Sequence, residues 1–254
     1  MTEPQSSTPP VTLRAGLLLF PRLTQLDLTG PYEVLARVPG ARVDLLWKTL
    51  EPVAADTGLR LLPTTTFDDC PELDLLLVPG GAGVNDLMTD AETLAFLSRT
   101  AARTRWLAGV CTGSLVLGAA GLLRGRRAGS HWSSRHFLAA FGATPVEERV
   151  VVDGHVFTGG GVTAGIDVVL RIVAELCGET TAKAVQLSIE YDPEPPFDAG
   201  TPSAAGPEIT GFVRARSAPM LEARARAVDV ASRALAEGEG TRACEAPRSG
   251  HLRA

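Results

Sequence analysis

Short apolar runs recur along the first half of the chain, and segments with helical periodicity separate them. The apolar runs cover residues 13–20, 42–48, 73–78 and 106–110. Such nearly continuous hydrophobic runs are typical of strands that are buried on both faces of a parallel sheet. Helices are predicted between and after these strands, one that follows residues 26–31 and ends at about Val38, and two more at residues 90–103 and 113–120. The pattern therefore predicts an α/β fold with a doubly wound, mostly parallel sheet.

Further hairpins and helices are predicted from turn residues and periodicity. Asp153-Gly154 lies between two short β-like runs and indicates a hairpin turn, and Gly58 marks a smaller hairpin within residues 53–67. Four more helices are predicted, at residues 133–141, 163–177, 180–189 and 208–237. Residues 191–207 are rich in proline and are expected to be irregular, and Pro219 is expected to break or kink the last helix.

These elements divide the chain into three segments. Residues 1–12 are polar and include several prolines, so we expect a flexible N-terminal tail. Residues 13–200 are predicted to form the α/β domain. Residues 201–254 are predicted to form a C-terminal helical extension with a frayed end, whose arginines form a solvated face or a dimer contact.

Composition narrows the class of protein and its partners. A net charge of −5 and a pI near 5.5 argue against nucleic-acid binding. The cysteines Cys70, Cys111, Cys177 and Cys244 are far apart and lack CxxC spacing, so neither a metal site nor a disulfide framework is indicated. We therefore expect a reduced, cytoplasmic protein. No apolar run reaches the roughly 18 to 20 residues that a membrane span needs, so no membrane partner is expected.

Cys111 stands between a predicted buried strand and a predicted helix. This position is typical of a nucleophile elbow, a sharp turn that lifts a reactive side chain above the following helix. The positive end of the helix dipole favours thiolate, so the sequence predicts a lowered pKa for Cys111. The alternative is a small buried core residue, since free cysteine is often buried. The pattern alone leaves these two interpretations about equally supported.

Two other loops are predicted to meet Cys111, because ligands bind at the carboxyl ends of strands in parallel sheets. Asp27 follows the first strand and is a candidate proton-transfer group; the alternative is an ordinary helix N-cap. The Gly80 and Gly81 amides, with that of Thr112, are candidate donors to a developing negative charge, although a Pro-Gly-Gly loop is often a plain turn. Residues 159–161 are expected either to border the pocket or to allow close packing of helix on sheet. His131 and His136 are interpreted as structural.

Several stretches together resemble the DJ-1/PfpI superfamily. They are LLLFPRLTQLDLTGPYEVLA at residues 17–36, LLLVPGGAGV at 75–84, VCTGSLVLGAAGLLRGRRA at 110–128, the His131-Trp132 pair, TGGGVTAGID at 158–167 and YDPEPPFDAG at 191–200. PfpI-type peptidases carry a histidine directly after the cysteine, whereas this chain has Thr112. This difference disfavours a Cys-His peptidase. In this respect the chain resembles the isonitrile hydratase branch of the superfamily.

The resemblance implies a flavodoxin-like α/β sandwich, as in class I glutamine amidotransferases, and a homodimer. It implies cofactor-free and metal-free hydration of a small isonitrile to an N-substituted formamide through a thioimidate on Cys111. The implied site comprises Cys111, Asp27 and Thr112 for catalysis, with Gly80, Gly81, Gly161 and Val162 binding substrate or developing charge. Three alternatives stay open: a glyoxalase or deglycase acting on small carbonyls, a cysteine redox sensor, and the ligand-sensing half of a transcription regulator.

Overall fold

The computed structural model describes residues 13–245, and the side chains of residues 13–238. The described chain contains eleven strands: β1 Leu13–Leu18, β2 Ala41–Trp47, β3 Val53–Ala54, β4 Arg60–Leu61, β5 Thr65–Thr66, β6 Leu75–Val78, β7 Trp106–Gly109, β8 Arg127–Ala128, β9 Thr144–Pro145, β10 Val150–Asp153 and β11 Val156–Gly159. Its α-helices are α1 Gln25–Ala36, α2 Val84–Leu87, α3 Ala91–Ala101, α4 Gly113–Ala119, α5 Ala164–Cys177, α6 Glu179–Ser188 and α7 Pro202–Glu245. A 3-10 helix spans Arg135–Phe141.

Seven strands form the central sheet in the order β10-β11-β7-β6-β1-β2-β5. All neighbouring pairs are parallel except β10 and β11, which form the hairpin predicted at Asp153-Gly154. Helix α1 packs against α5, whereas α4 packs against α3 and α7, so helices cover both faces. The predicted α/β sandwich is confirmed. Since β1, β6 and β7 are adjacent, the loops that follow them converge at one edge of the sheet.

The strands next to the site form because their side chains are apolar on both faces. All four residues of β6 are buried, and so are Leu107, Ala108 and Gly109 of β7. Alternating polar residues would place polar groups in one of the two helical layers, where their desolvation is costly. These strands therefore give the loops at their carboxyl ends a rigid base.

The structure differs from the sequence prediction mainly in the C-terminal region. The predicted irregular segment ends early, because α7 begins at Pro202. The predicted break at Pro219 is wrong: the non-helical residue within α7 is Gly206, with φ of 76°. Gly206 adopts this conformation readily, and Pro207 disfavours helical geometry in the residue before it. The expected tail at residues 1–12 lies outside the described residues. So do residues 246–254 of the expected frayed end, and for residues 239–245 only the backbone is described.

Membrane spans and metal clusters are both absent from the part of the chain that the structure describes. None of the helices combines the length and the hydrophobicity that crossing a membrane requires within these residues. Over the same part, no three His, Cys, Asp or Glu side chains are grouped so that they could hold a metal ion.

Candidate active site

Cys111 occupies the turn between β7 and α4 in a left-handed backbone conformation. Its φ is 56°, which costs a non-glycine residue about 1–3 kcal/mol and persists only where surrounding contacts enforce it. Those contacts converge on its carbonyl oxygen, which accepts hydrogen bonds from Ser130 Oγ at 2.8 Å, Ser114 Oγ at 3.0 Å and the His131 amide at 3.3 Å. The strained turn has the geometry of the predicted nucleophile elbow.

Asp27 reaches Cys111 from the first turn of α1. The loops after β1 and β6 are tied together by a hydrogen bond of 2.9 Å from the Thr24 amide to the Gly80 carbonyl. In return, the Gly80 amide donates to Asp27 Oδ2 at 2.9 Å. Because α1 begins at Gln25, two residues before Asp27, the alternative of an Asp27 N-cap is wrong. The carboxyl group instead joins two loops at the sheet edge.

The second carboxyl oxygen of Asp27 is buried and unused. Oδ1 has no hydrogen-bond partner among the described residues, and the whole side chain is 0% exposed. Burial raises the pKa of Asp27 to about 7, although hydrogen bonds with the Gly80 amide and the Cys111 thiol act in the opposite direction. A carboxyl group with this pKa can both accept and release a proton near neutral pH.

The thiol of Cys111 is held protonated rather than ionised. Burial raises its pKa well above the usual range, and the negative charge of Asp27 raises it further. The Thr112 amide and the charge of Arg224 lower it by less. The predicted lowering of the Cys111 pKa is therefore wrong, because desolvation and a neighbouring carboxylate outweigh the end of a helix of only seven residues. Cys111 and Asp27 therefore form an interacting pair in which the thiol is protonated while the carboxyl group titrates near neutral pH.

The Gly80 and Gly81 amides are already engaged within the protein. Gly80 donates to Asp27, and Gly81 donates to Thr112 Oγ1 at 3.1 Å. Thr112 Oγ1 also lies 3.4 Å from the Gly81 carbonyl oxygen, to which it can donate. In this structure the two amides therefore position a carboxyl group and a hydroxyl group, instead of being free to bind a developing charge as the sequence predicted. The Thr112 amide, by contrast, donates to the Cys111 sulfur.

Gly80→Ala is expected to displace the Asp27 carboxyl group. A Cβ at this position would lie 2.5 Å from the Thr112 nitrogen, 2.7 Å from Thr112 Oγ1 and 2.8 Å from Asp27 Oδ2. A displacement of about 1 Å between reacting groups can reduce a rate about 10²-fold, so we expect a loss of that order in any activity that depends on the pair. Gly58→Ala is the control, since a Cβ there would meet no atom within 4 Å, although the φ of 89° adds local strain. Equal activity of Gly80→Ala and the wild type would contradict this role.

Gly161 and Val162 border a cleft of about 400 Å³ beside the elbow. His131, Trp132 and Thr163 also line it, and a Cβ on Gly161 would lie 3.3 Å from the His131 ring. Gly159 allows helix α5 to pack closely on the sheet, since a Cβ added at this position would lie 2.6 Å from Val168 of α5. The glycine run thus provides both close packing and a cleft wall. A role of Gly161 and Val162 in substrate binding stays a prediction.

The sequence does not single out Arg224, because it predicts a solvated face or a dimer contact for the arginines of the C-terminal helix. It is 2% exposed and lies on the same face of α7 as buried Val228 and Ala231. Its guanidinium donates to three neutral oxygen atoms: Asn85 Oδ1 at 3.0 Å, Ser134 Oγ at 2.8 Å and the Gly81 carbonyl at 3.1 Å. A signal for Arg224 is nevertheless present in the sequence, because it occupies a position of the helix where the periodicity calls for an apolar residue.

The other cysteines lie outside this arrangement. Cys70 and Cys177 are free and partly buried, and burial raises the pKa of each, that of Cys70 to about 11. Cys244 lies outside the residues whose side chains are described. These two described thiols therefore have neither an elbow nor a carboxyl partner like Asp27.

The fold and the elbow define the class of the protein. The model of the DJ-1/PfpI family matches residues 13–175, and the chain belongs to this family. Isonitrile hydratase from Pseudomonas putida is 54% identical over 227 residues, which are 89% of this chain and 98% of that protein. The crystal structure of a ThiJ/PfpI family protein from Pseudomonas syringae superposes with a TM-score of 0.83 at 41% identity, covering 90% of this chain and 97% of the other.

One relative with lower sequence identity is a transcriptional regulator. The helix-turn-helix-type transcriptional regulator GbdR of Pseudomonas aeruginosa is 31% identical over 185 residues. Those residues are 70% of this chain and 50% of the regulator. The shared part thus spans only half of the regulator.

Proposed function

We propose that this protein hydrates isonitriles to N-substituted formamides, with Cys111 as the nucleophile and Asp27 as the proton carrier. The observation that carries the proposal is the buried Asp27 beside the Cys111 elbow: the Gly80 amide holds one carboxyl oxygen and the other has no hydrogen-bond partner among the described residues. Ser130 and His131, which donate to the Cys111 carbonyl, line the neighbouring cleft. The 54% identity to the isonitrile hydratase of P. putida supports the choice of substrate class. Neither step below requires a metal or an organic cofactor.

In the first step, Asp27 takes the thiol proton while the sulfur attacks the terminal carbon of R–N≡C. One carbon–nitrogen π bond breaks as the carbon–sulfur bond forms, and its electron pair moves onto the nitrogen, while the terminal carbon keeps its own lone pair and becomes a carbanion. Asp27 then delivers the proton to that carbon, which gives the thioimidate R–N=CH–S–Cys111. The unpaired Oδ1 is the oxygen with no competing hydrogen bond for this transfer.

In the second step, Asp27 removes a proton from water, whose oxygen attacks the thioimidate carbon. The proton passes to the nitrogen, which gives R–NH–CH(OH)–S–Cys111. Collapse of this intermediate forms the formamide carbonyl and breaks the carbon–sulfur bond, and Asp27 carries the hydroxyl proton to the departing sulfur. The thiol and the carboxylate are thereby restored.

The pH dependence of kcat/KM follows from the pKa of Asp27. Below a pH of about 7 both Asp27 and Cys111 are protonated, so the carboxyl group cannot accept the thiol proton. We expect kcat/KM to fall tenfold per pH unit below about 7 and to form a plateau above it. The Cys111 pKa is raised well above its usual range, so the plateau is expected to continue through pH 9. A profile that decreases as pH rises through 7 would contradict this assignment.

The direct test of the function is a turnover assay with purified protein. Cyclohexyl isonitrile and para-nitrophenyl isonitrile are supplied separately, and formamide formation is followed by chromatography. Formation of the matching formamide supports the proposal. Turnover of methylglyoxal without turnover of either isonitrile would refute it in favour of a glyoxalase. Peroxide-dependent oxidation of Cys111 without any turnover would refute it in favour of a redox sensor.

We also propose that the protein forms a homodimer. Several large apolar side chains of the C-terminal region are exposed: Leu187, Phe197, Ile209 and Phe212. We propose that a second copy of the chain covers these exposed side chains. The division of the chain into a domain at residues 13–200 and an extension at 201–254 also stays a proposal, and Arg224 ties that extension to the site.

A cytoplasmic location is also proposed, and it rests on the free cysteines alone.

A further inference from the structure

The hydrogen bonds of His131 determine which of its ring nitrogens carries the proton. The Ser133 amide donates to Nδ1 at 3.3 Å, and an amide can only donate. Nδ1 therefore accepts, so the proton of the neutral ring is on Nε2. The Ser133 hydroxyl, 2.8 Å from Nδ1, then donates to the same nitrogen.

Arg224 fixes which atom is the donor in each hydrogen bond between it and His131. Guanidinium groups only donate, so Ser134 Oγ accepts from Arg224 at 2.8 Å. The Ser134 hydroxyl proton is then free to point toward Ser133 Oγ at 3.4 Å, which leaves the Ser133 proton for His131. Every hydrogen bond from Arg224 to His131 thus runs in one direction.

His131 stays neutral in this position. Burial, assisted by the positive charge of Arg224, lowers its pKa to about 4. The charged side chains that share the cleft are already in ion pairs: Arg135 with Glu147, Glu148 with Arg127, and Arg149 with Asp167. The imidazole is therefore a neutral donor, and the backbone amide of the same residue donates to the Cys111 carbonyl.

The cleft side of the ring is the side with Nε2. A Cβ on Gly161 would lie 3.3 Å from His131 Cδ2 and 3.9 Å from Nε2, so this edge faces the glycine run that borders the cleft. The Gly80 and Gly81 amides are occupied, so they leave the oxygen added during hydration without their hydrogen bonds. A donor at His131 Nε2 would serve that oxygen.

Resting on the proposed function, we propose that the Ser133 amide, reinforced by the chain of hydroxyl groups from Arg224, holds His131 as the Nε2–H tautomer, which donates to the oxygen added to the isonitrile carbon. His131 is then a catalytic residue of the second step, and Arg224 is a positioning residue. An isonitrile has no oxygen, so this hydrogen bond forms only once water attacks. It accelerates hydrolysis of the thioimidate without assisting its formation.

The tautomer is tested first, by ¹⁵N NMR of histidine-labelled protein without substrate. We expect His131 to show protonated Nε2 and unprotonated Nδ1 from pH 6 to 8. Arg224→Gln is expected to raise the His131 pKa, since it removes a positive charge. Ser134→Ala is expected to weaken the preference for the Nε2–H tautomer, since the Ser133 amide alone then directs it, and is the second variant if Arg224→Gln does not fold. An Nδ1–H tautomer in the wild type would overturn the inference, whatever the protein does with isonitriles.

The role in the reaction is tested with His131→Leu and His131→Gln. Leucine removes the donor, so we expect kcat to fall about 10²-fold while KM for cyclohexyl isonitrile changes less than about threefold. The thioimidate on Cys111 should accumulate, as detected by mass spectrometry after rapid quenching. Glutamine places an amide N–H near Nε2 and should restore kcat to within about tenfold of the wild type. Equal losses in both variants, or no accumulation in His131→Leu, would overturn the role, and absence of wild-type turnover would refute the proposed function instead.

Discussion

Cys111→Ala is expected to abolish formamide formation from an isonitrile. The variant removes the atom that bonds to the isonitrile carbon, and loss of a nucleophile typically lowers kcat by about 10⁴- to 10⁶-fold. The fold should survive, because the alanine methyl fits a position that is 5% exposed in the wild type and the three hydrogen bonds to its carbonyl remain. The measurement is the initial rate of formamide formation at pH 8, with circular dichroism as the test of folding.

Cys177→Ala is the matched control for this variant. Cys177 is a free, partly buried thiol at the end of α5 and lies outside the elbow, so its removal should change the rate less than about twofold. A Cys111→Ala protein that keeps more than about a hundredth of wild-type activity would contradict covalent catalysis by Cys111.

Asp27→Asn is expected to have two opposite effects on the site. Hydration should fall by about 10³-fold, because asparagine cannot carry the thiol proton to carbon or remove a proton from water. The thiol should become more reactive toward iodoacetamide at pH 8, because the negative charge that raises the pKa of Cys111 is gone. General damage to the site would lower hydration without accelerating alkylation.

Alkylation rates of the wild type and Asp27→Asn, measured from pH 6 to 10, separate these explanations. The apparent pKa of Cys111 should be lower in the variant, with the wild-type value still above the usual range. Asp56→Asn is the control, since Asp56 raises the Asp27 pKa only through its charge at a distance. An unchanged or higher Cys111 pKa in Asp27→Asn would show that the two groups are not coupled.

The sheet and the meeting of its loops were predictable from the sequence. Strands β1, β6 and β7 are almost entirely buried, so they appear in the sequence as nearly continuous apolar runs. The carboxyl ends of such strands share an edge, and that rule alone places Asp27 near Cys111. Family resemblance was needed to choose proton transfer over N-capping, because local sequence does not show that α1 begins at Gln25.

The electrostatics of the site were not predictable in the same way. The sign of the Cys111 pKa shift depends on how completely water is excluded and on a carboxyl group from another loop, and neither is a local property of the turn. Local sequence also does not show that the Gly80 and Gly81 amides are occupied, since their acceptors belong to distant segments of the chain. Arg224 lies among the exposed arginines of α7, and only its position on the apolar face distinguishes it.

Mass spectrometry of Cys111 during turnover tests the central claim most directly. Protein mixed with excess cyclohexyl isonitrile is quenched in acid after milliseconds to seconds and digested. We expect the peptide containing Cys111 to gain the mass of one isonitrile molecule, with the adduct appearing before formamide and decaying once substrate is exhausted. Formamide production at the wild-type rate while the Cys111 peptide stays unmodified at every time point would contradict the account.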